Sequence, residues 1–367
     1  QLDHLGDAVL STGMIRELAR RYPQAQIEVL AAPWNAELFA TLPQIGHVHI
    51  CRRNRFARRG RQGWPLAIFY WGWRLRSRRF DVGVDIRGEF PFALLLWLAG
   101  IRRRVGWAAG GGGFLLTDSA EYQPARRQAA ARACLLDALA GLPGDTGPIP
   151  LPCFDPPAAA RNWVAAQFGR RAGKSSLLVA HLSAGTPAKR WPASHWQELF
   201  GRLLLELGDV QIVMVGSQAD RELASKILGG RPWPRISDWT GKLSVCRLAA
   251  LLERAGCFVG ADSGPAHLAA AVGTPAVVLF SGPNDARVWR PAGDVVVVRQ
   301  PVACAPCHRT ACPLADHPCM RGIEPQRVAA AIAHKLALGR RPVVDERGSC
   351  ALLDLPGAPA PIELPLA

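Results

Sequence analysis

The sequence predicts an α/β protein built as two Rossmann-like halves, and three observations carry that expectation. Short apolar runs alternate with helically spaced patterns along most of the chain, as βαβ units around parallel sheets do. The stretch L-P-G-D-T-G-P-I-P-L-P-C-F-D-P-P, from Leu142 to Pro157, breaks the alternation with a density of Pro and Gly that marks a linker. A chain of 367 residues, 49% of them hydrophobic, is long and apolar enough for two cores. The expected domains are 1–150, 151–340 and a Pro-rich tail over 341–367.

In the first half, Leu10, Met14, Leu18 and Tyr22 recur at helical spacing and Pro23 ends the run. Asp7 sits at the start of that helix, where an N-cap is the plainest role for it. Ile27 to Ala32 reads as a strand, Trp34 to Leu42 as a short helix and His47 to Cys51 as a strand. Arg52 to Arg79 then mixes Arg52, Arg53, Arg55, Arg58, Arg59 and Arg61 with Trp64, Phe69, Tyr70, Trp71 and Trp73, followed by more Arg. Rings beside cations suit an interfacial helix on anionic lipid, and equally a surface helix packing its aromatics inward. Phe80 to Ile86 reads as a strand, the following residues to Leu98 as a buried helix, Arg102 to Trp107 as a strand and Arg126 to Leu139 as a helix. The four-Gly run Gly110 to Gly113 lacks the Lys-Ser/Thr of a P-loop and is expected to be a mobile connection.

The second half alternates again. Leu177 to Leu182 is a strand, and the loop S-A-G-T-P-A-K-R-W-P after it offers the hydroxyls of Ser183 and Thr186 and the charge of Lys189. A lysine there can meet a diphosphate as a point charge. Pro192 to Leu207, Gln218 to Leu228 and Leu243 to Ala255 read as helices, with a strand at Val210 to Val215. Asp220 or Glu222 lies just past that strand, where an acid can take a ribose hydroxyl. Cys257 to Phe280 then reads strand, tight loop, short helix, Gly-Thr-Pro turn, strand. Ser263 would cap the helix, and a phosphorylated ligand should meet Asp262, Ser263, Gly264 and His267 at its positive end. Two phosphate-suited loops on the carboxyl edge of one sheet favour a nucleotide site over two ordinary capped turns.

Charge and cysteines bound the partners. Lys and Arg number 44 against 29 Asp and Glu, a net +15, so anionic partners are favoured. No nucleic-acid motif accompanies the basic stretch, and nucleic acid is not expected. The longest apolar run, Phe90 to Ile101, is too short to span a bilayer. Without a recognisable leader, and with ten cysteines in a core-rich chain, the expected compartment is the cytoplasm. Cys304, Cys307, Cys312 and Cys319 fall in C-x2-C-x4-C-x6-C, which could hold structural zinc or iron, or stay as reduced thiols.

Five pieces together resemble glycosyltransferase family 9, the heptosyltransferases of lipopolysaccharide assembly. They are D-H-L-G-D-A-V-L-S-T, F-D-V-G-V-D-I-R-G, A-K-R-W-P-A-S-H-W, D-W-T-G-K-L-S and G-A-D-S-G-P-A-H-L-A-A-A-V-G-T-P, in the family's order. The resemblance implies a GT-B fold with two Rossmann-like domains facing across a cleft. It implies inverting transfer of a sugar from a nucleotide diphosphate, typically ADP-heptose, to a lipid-linked or phosphorylated saccharide near the inner leaflet, with no cofactor needed for the chemistry. The family's catalytic aspartate falls on Asp7, its donor-phosphate lysine on Lys189, and its D-[ST]-G-x-x-H on Asp262, Ser263, Gly264 and His267. The family also has a strand ahead of its Gly-Asp motif; this chain starts at Gln1, so residues ahead of it are expected to be missing. Competing expectations are transfer from another nucleotide sugar, a sugar-nucleotide epimerase on the same fold, and a non-catalytic basic binding module.

Overall fold

The computed structural model describes residues 2–52, 64–142, 151–168 and 177–338. The arginines from Arg53 to Arg61, the middle of the linker and the tail from Gly339 lie outside the described residues. The chain divides into two compact units, Gln1–Pro150 and Leu151–Ala367. Every ladder among the described residues is parallel, the α/β class of the GT-B type.

Unit 1 begins with α1 (Leu5–Arg21), β1 (Ile27–Ala31), α2 (Pro33–Ala40) and β2 (Ile45–Ile50). It continues through α3 (Trp64–Arg76), β3 (Val82–Val84), α4 (Phe90–Leu98), β4 (Arg103–Trp107), β5 (Asp118–Ala120) and α5 (Gln128–Ala140). The single parallel sheet expected here is in two pieces, β1–β2 and β3–β4–β5. Strands β1 and β3 do not share a ladder, and a cavity of about 400 Å³ is lined by Ile27 to Leu30 of one and Val82 to Val84 of the other. Gly110 to Gly113 also departs from expectation. Gly110 and Gly111 adopt φ of 96° and 83°, and a Cβ on Gly110 would fall 1.9 Å from the Gly88 carbonyl oxygen. Only glycine permits that backbone approach, so the run is a packed turn and not a loose connection.

Unit 2 contains α6 (Ala158–Phe168), β6 (Leu177–His181), α7 (Ala193–Glu206), β7 (Gln211–Val215), α8 (Arg221–Leu228), β8 (Ile236–Asp238) and α9 (Val245–Arg254). After these come β9 (Cys257–Ala261), α10 (Gly264–Ala271), β10 (Ala276–Phe280), α11 (Ala286–Trp289), β11 (Val295–Arg299), α12 (Pro318–Arg321) and α13 (Pro325–Leu338). The six strands lie in the order β11-β10-β9-β6-β7-β8. Read from β8 this is the doubly wound order, which reverses between β6 and β9. Strands β6, β9 and β10 are buried along their whole length. Helices cover both faces, so these strands are continuous apolar runs and do not alternate. On α7, Trp196, Leu199, Phe200 and Leu203 repeat at i, i+3, i+4, i+7 and bury one face of the helix in this core, beside Trp191.

Candidate active site

The reversal point between β6 and β9 puts two loops side by side on the carboxyl edge of the sheet. One runs from Leu182 through a short 3-10 turn at Pro187–Lys189; the other is Asp262 to Gly264, leading into α10. They are joined by one ion pair, Lys189 Nζ to Asp262 Oδ2 at 2.7 Å, with a second contact from Nζ to the Asp262 carbonyl at 3.3 Å. Asn284, from the loop after β10, donates to the same Asp262 oxygen at 2.6 Å, and His267 Nε2 lies 4.0 Å from the other. Asp262 is buried. Its carboxylate therefore holds Lys189 and Asn284 in place, and an anionic ligand would meet the lysine and the amide, not the acid itself.

The hydroxyls are deployed differently from expectation. Ser263 stands at the N-cap of α10, but its side chain makes no capping bond. Its Oγ donates to the Ala261 carbonyl at 3.1 Å and lies 3.3 Å from His181 Nδ1. Burial pushes His181 down to about 4, so the ring is neutral at pH 7. Ser183 is buried and engages Asp220. The Asp220 carboxylate also accepts from the Ser217 amide and hydroxyl, each at 2.7 Å, in a capping box. Burial pushes its pKa up, but these hydrogen bonds more than offset that and hold it low. Glu222 is exposed in the first turn of α8. Thr186 Oγ1 is buried beside Lys189 with no partner, a donor and acceptor that a bound group could satisfy.

In unit 1, Asp7 lies in the first turn of α1, but the N-cap position belongs to His4. Asp7 is not a cap; its Oδ1 accepts from Arg132 Nη2 of α5 at 2.9 Å. Burial raises the Asp7 pKa, the Arg132 cation pulls it down, Asp3 pushes it up and His4 pulls it down, and the net shift is upward. A partly desolvated carboxylate with a raised pKa is suited to accept a proton. Arg132 was not singled out from the sequence; an arginine amid the apolar pattern A-A-A-R-A-C-L-L was its only signal. Asn284, in the loop after β10, and His181, the last residue of β6, were missed as well, because neither carries a spacing signature.

The four-cysteine loop buttresses the lysine loop. Ala188 N–H donates to the Thr310 carbonyl at 3.1 Å, His317 Nε2 lies 3.1 Å from the Ala188 carbonyl, and Trp191 Nε1 donates to the Ile323 carbonyl at 3.0 Å. The amides of Cys307 and His308 donate to the carbonyls of Gly282 and Pro283, beside Asn284. Cys304 is exposed, Cys307 and Cys312 are half-buried, Cys319 is buried, and all four are free thiols. Burial raises the Cys319 pKa, helped by the neighbouring thiols. Among the described residues no group of three or more His, Cys, Asp or Glu side chains is arranged to hold a metal ion. A metal centre in this loop is thus not shown, although Cys319 lies close enough to the other three thiols for each to act on it.

Comparison with known proteins agrees with the fold. The family model for glycosyltransferase family 9 (heptosyltransferase) matches residues 69–317. A curated relative, lipopolysaccharide heptosyltransferase 2 of Escherichia coli K12, is 27% identical over 304 residues, spanning 77% of this chain and 81% of the relative. The solved structure of E. coli ADP-heptose lps heptosyltransferase II superimposes with a TM-score of 0.74 at 24% identity, covering 92% of this chain and 97% of that one. E. coli heptosyltransferase WaaC with ADP superimposes at 0.67 with 17% identity, over 91% and 98%. Among the described residues no helix is long and apolar enough to cross a membrane.

Proposed function

The chain belongs to glycosyltransferase family 9, and from that premise we propose that it is an inverting heptosyltransferase using an ADP-linked heptose. The proposed acceptor is a lipid-linked or phosphorylated saccharide of a lipopolysaccharide core, met at the inner leaflet from the cytoplasmic side. The observation that carries the donor half is the Lys189–Asp262 pair at the point where strand order reverses in unit 2. That crevice is where open α/β sheets take nucleotides. The curated relative is a lipopolysaccharide heptosyltransferase and a structural neighbour carries ADP, which favours ADP over other nucleotides. Membership in a transferase family displaces both the epimerase and the non-catalytic basic module.

The reaction follows from the groups present. The Asp7 carboxylate takes the proton of the acceptor hydroxyl as its oxygen forms a bond to the anomeric carbon. The bond from that carbon to the diphosphate oxygen breaks, and the electron pair leaves with the diphosphate. Lys189, the Asn284 amide, the Thr186 hydroxyl and the first turn of α10 near Gly264 meet the charge that develops there. Ser183 and Ser263, tied to Asp220 and His181, shape the two loops. Glu222 is the proposed contact to the donor's ribose. No metal ion is needed in this scheme, and the cysteine loop serves by bracing the lysine loop.

The test is a donor panel read by thermal shift and by transfer. ADP-heptose should raise the melting temperature more than UDP- or GDP-linked sugars and should support transfer to heptose-deficient lipopolysaccharide. A larger shift with UDP- or GDP-sugars would overturn the donor assignment.

A further inference from the structure

Helix α3 has two apolar faces, and only one of them is used by unit 1. Ala67, Ile68, Trp71 and Leu75 are buried. Gly72 lets α3 close on α4, since a Cβ there would stand 2.7 Å from Leu98 Cβ. On the other side Leu66, Phe69, Tyr70 and Trp73 form an i, i+3, i+4, i+7 stripe with 65%, 58%, 46% and 76% of their surface in solvent. Trp97 of α4 is 52% exposed as well. Each of these side chains leaves apolar surface in water that burial would stabilise. A row of four on one helix is a surface that something covers.

The charge around the stripe selects the occupant. From Cys51 to Phe80 the sequence contains no Asp or Glu. Arg74, Arg76, Arg78 and Arg79 are exposed at the end of α3 and just beyond it. Arg78 is paired with Glu28, and the Arg74 guanidinium donates to the Tyr70 hydroxyl at 3.1 Å and lies 5.6 Å over the Trp71 ring. Arg74 is thereby held at the margin of the stripe. A second copy of the chain would bring two such cationic rims together, which repel. An anionic bilayer accepts both features at once, with rings at headgroup depth and guanidinium groups on lipid phosphates.

We propose that α3 is the element through which the protein seats on an anionic phospholipid surface, with Leu66, Phe69, Tyr70 and Trp73 inserted and Arg74, Arg76 and Arg79 on headgroup phosphates. This deepens the reading of a lipid-linked acceptor by naming the face that meets the lipid, but it rests on the geometry of α3 alone. Binding should weaken as salt rises, because the arginines act on the surface potential.

The experiment is co-sedimentation of the full chain with vesicles of phosphatidylethanolamine and phosphatidylglycerol, and with neutral phosphatidylcholine vesicles. Wild type should partition onto the anionic vesicles. The double variant Phe69→Gln/Trp73→Gln should lose about tenfold or more of that partitioning, with its melting temperature and its affinity for ADP-heptose unchanged. Arg74→Gln/Arg76→Gln/Arg79→Gln should bind more weakly and lose most of the salt dependence. Wild-type partitioning by the Phe69/Trp73 variant, or equal binding of wild type to neutral and anionic vesicles, would overturn the proposal. So would light scattering that shows wild-type dimers, monomers of the double variant and no vesicle binding by either, which would assign the stripe to self-association. Failure of sugar transfer would leave the vesicle result intact, so the two readings are separable.

Discussion

At the scale of single residues, the proposed reaction gives Asp7 and Lys189 opposite duties, and each has a partner that sets its behaviour. Asp7 must be ionised to take a proton, and burial works against that while Arg132 works for it. The acid limb of the pH–rate profile should therefore lie above the ordinary aspartate range. Replacing Arg132 by Gln removes the cation that favours the carboxylate, so the limb should move to higher pH in kcat/KM profiles. The same change leaves one half of a mostly buried pair and should cost about 3 kcal/mol in denaturant unfolding. A limb that stays in place would mean that Asp7 is not the titrating base. Lys189→Met should weaken ADP binding by about 10- to 100-fold in calorimetry, the usual worth of a charge-assisted hydrogen bond. Unchanged affinity would remove Lys189 from the donor site. Asp262 was legible as a site residue, but Arg132 and Asn284 were not, since they reach Asp7 and Asp262 only through tertiary packing across 125 and 22 positions.

At the scale of elements, sequence periodicity located most helices and the buried strands of unit 2, because a strand covered on both faces is written as an unbroken apolar run. It missed β5, β8 and β11: the first two are three residues each, too short to show a period. It also missed α6, whose apolar spacing is weak and which buries only Ala160 and Val164. The two-piece sheet of unit 1 has a consequence of its own. Strands β1 and β3 turn unpaired edges toward a cavity lined by Leu2, Leu30, Val84 and Phe92. A strand fused ahead of Leu2 would complete both ladders and fill apolar space. A chain carrying five or six β-branched residues there should unfold at higher urea concentration than one carrying Gly and Ser, by ~2 kcal/mol or more for side chains newly buried. Equal midpoints would show that the gap does not accept a strand.

At the scale of the whole molecule, the resemblance read from five motifs carried the fold and the enzyme class, and three of those motifs lie at the ends of β3, β8 and β9, where the backbone turns. The arrangement of their hydroxyls was not legible: Ser183 and Ser263 bind Asp220 and His181 inside the protein. That internal network makes stability pH-dependent. His181 is held near 4 when folded against 6.5 for a free imidazole, so its contribution is complete above pH 6.5 and is lost as pH falls toward 4. The loss is on the order of 3 kcal/mol. Asp85, raised to about 6 by burial despite the amides of Arg87 and Gly88, has the opposite sign: its contribution is present below 3.8 and is lost as pH rises through 6. Urea titrations at stepped pH should show His181→Gln flattening the acid slope of unit 2 while the unit 1 slope stays. The most direct measurement is single-turnover transfer by Asp7→Asn, with donor affinity measured on the same protein. The expected result is ADP-heptose binding close to wild type and no detectable transfer; turnover at the wild-type rate would contradict the role given to that carboxylate.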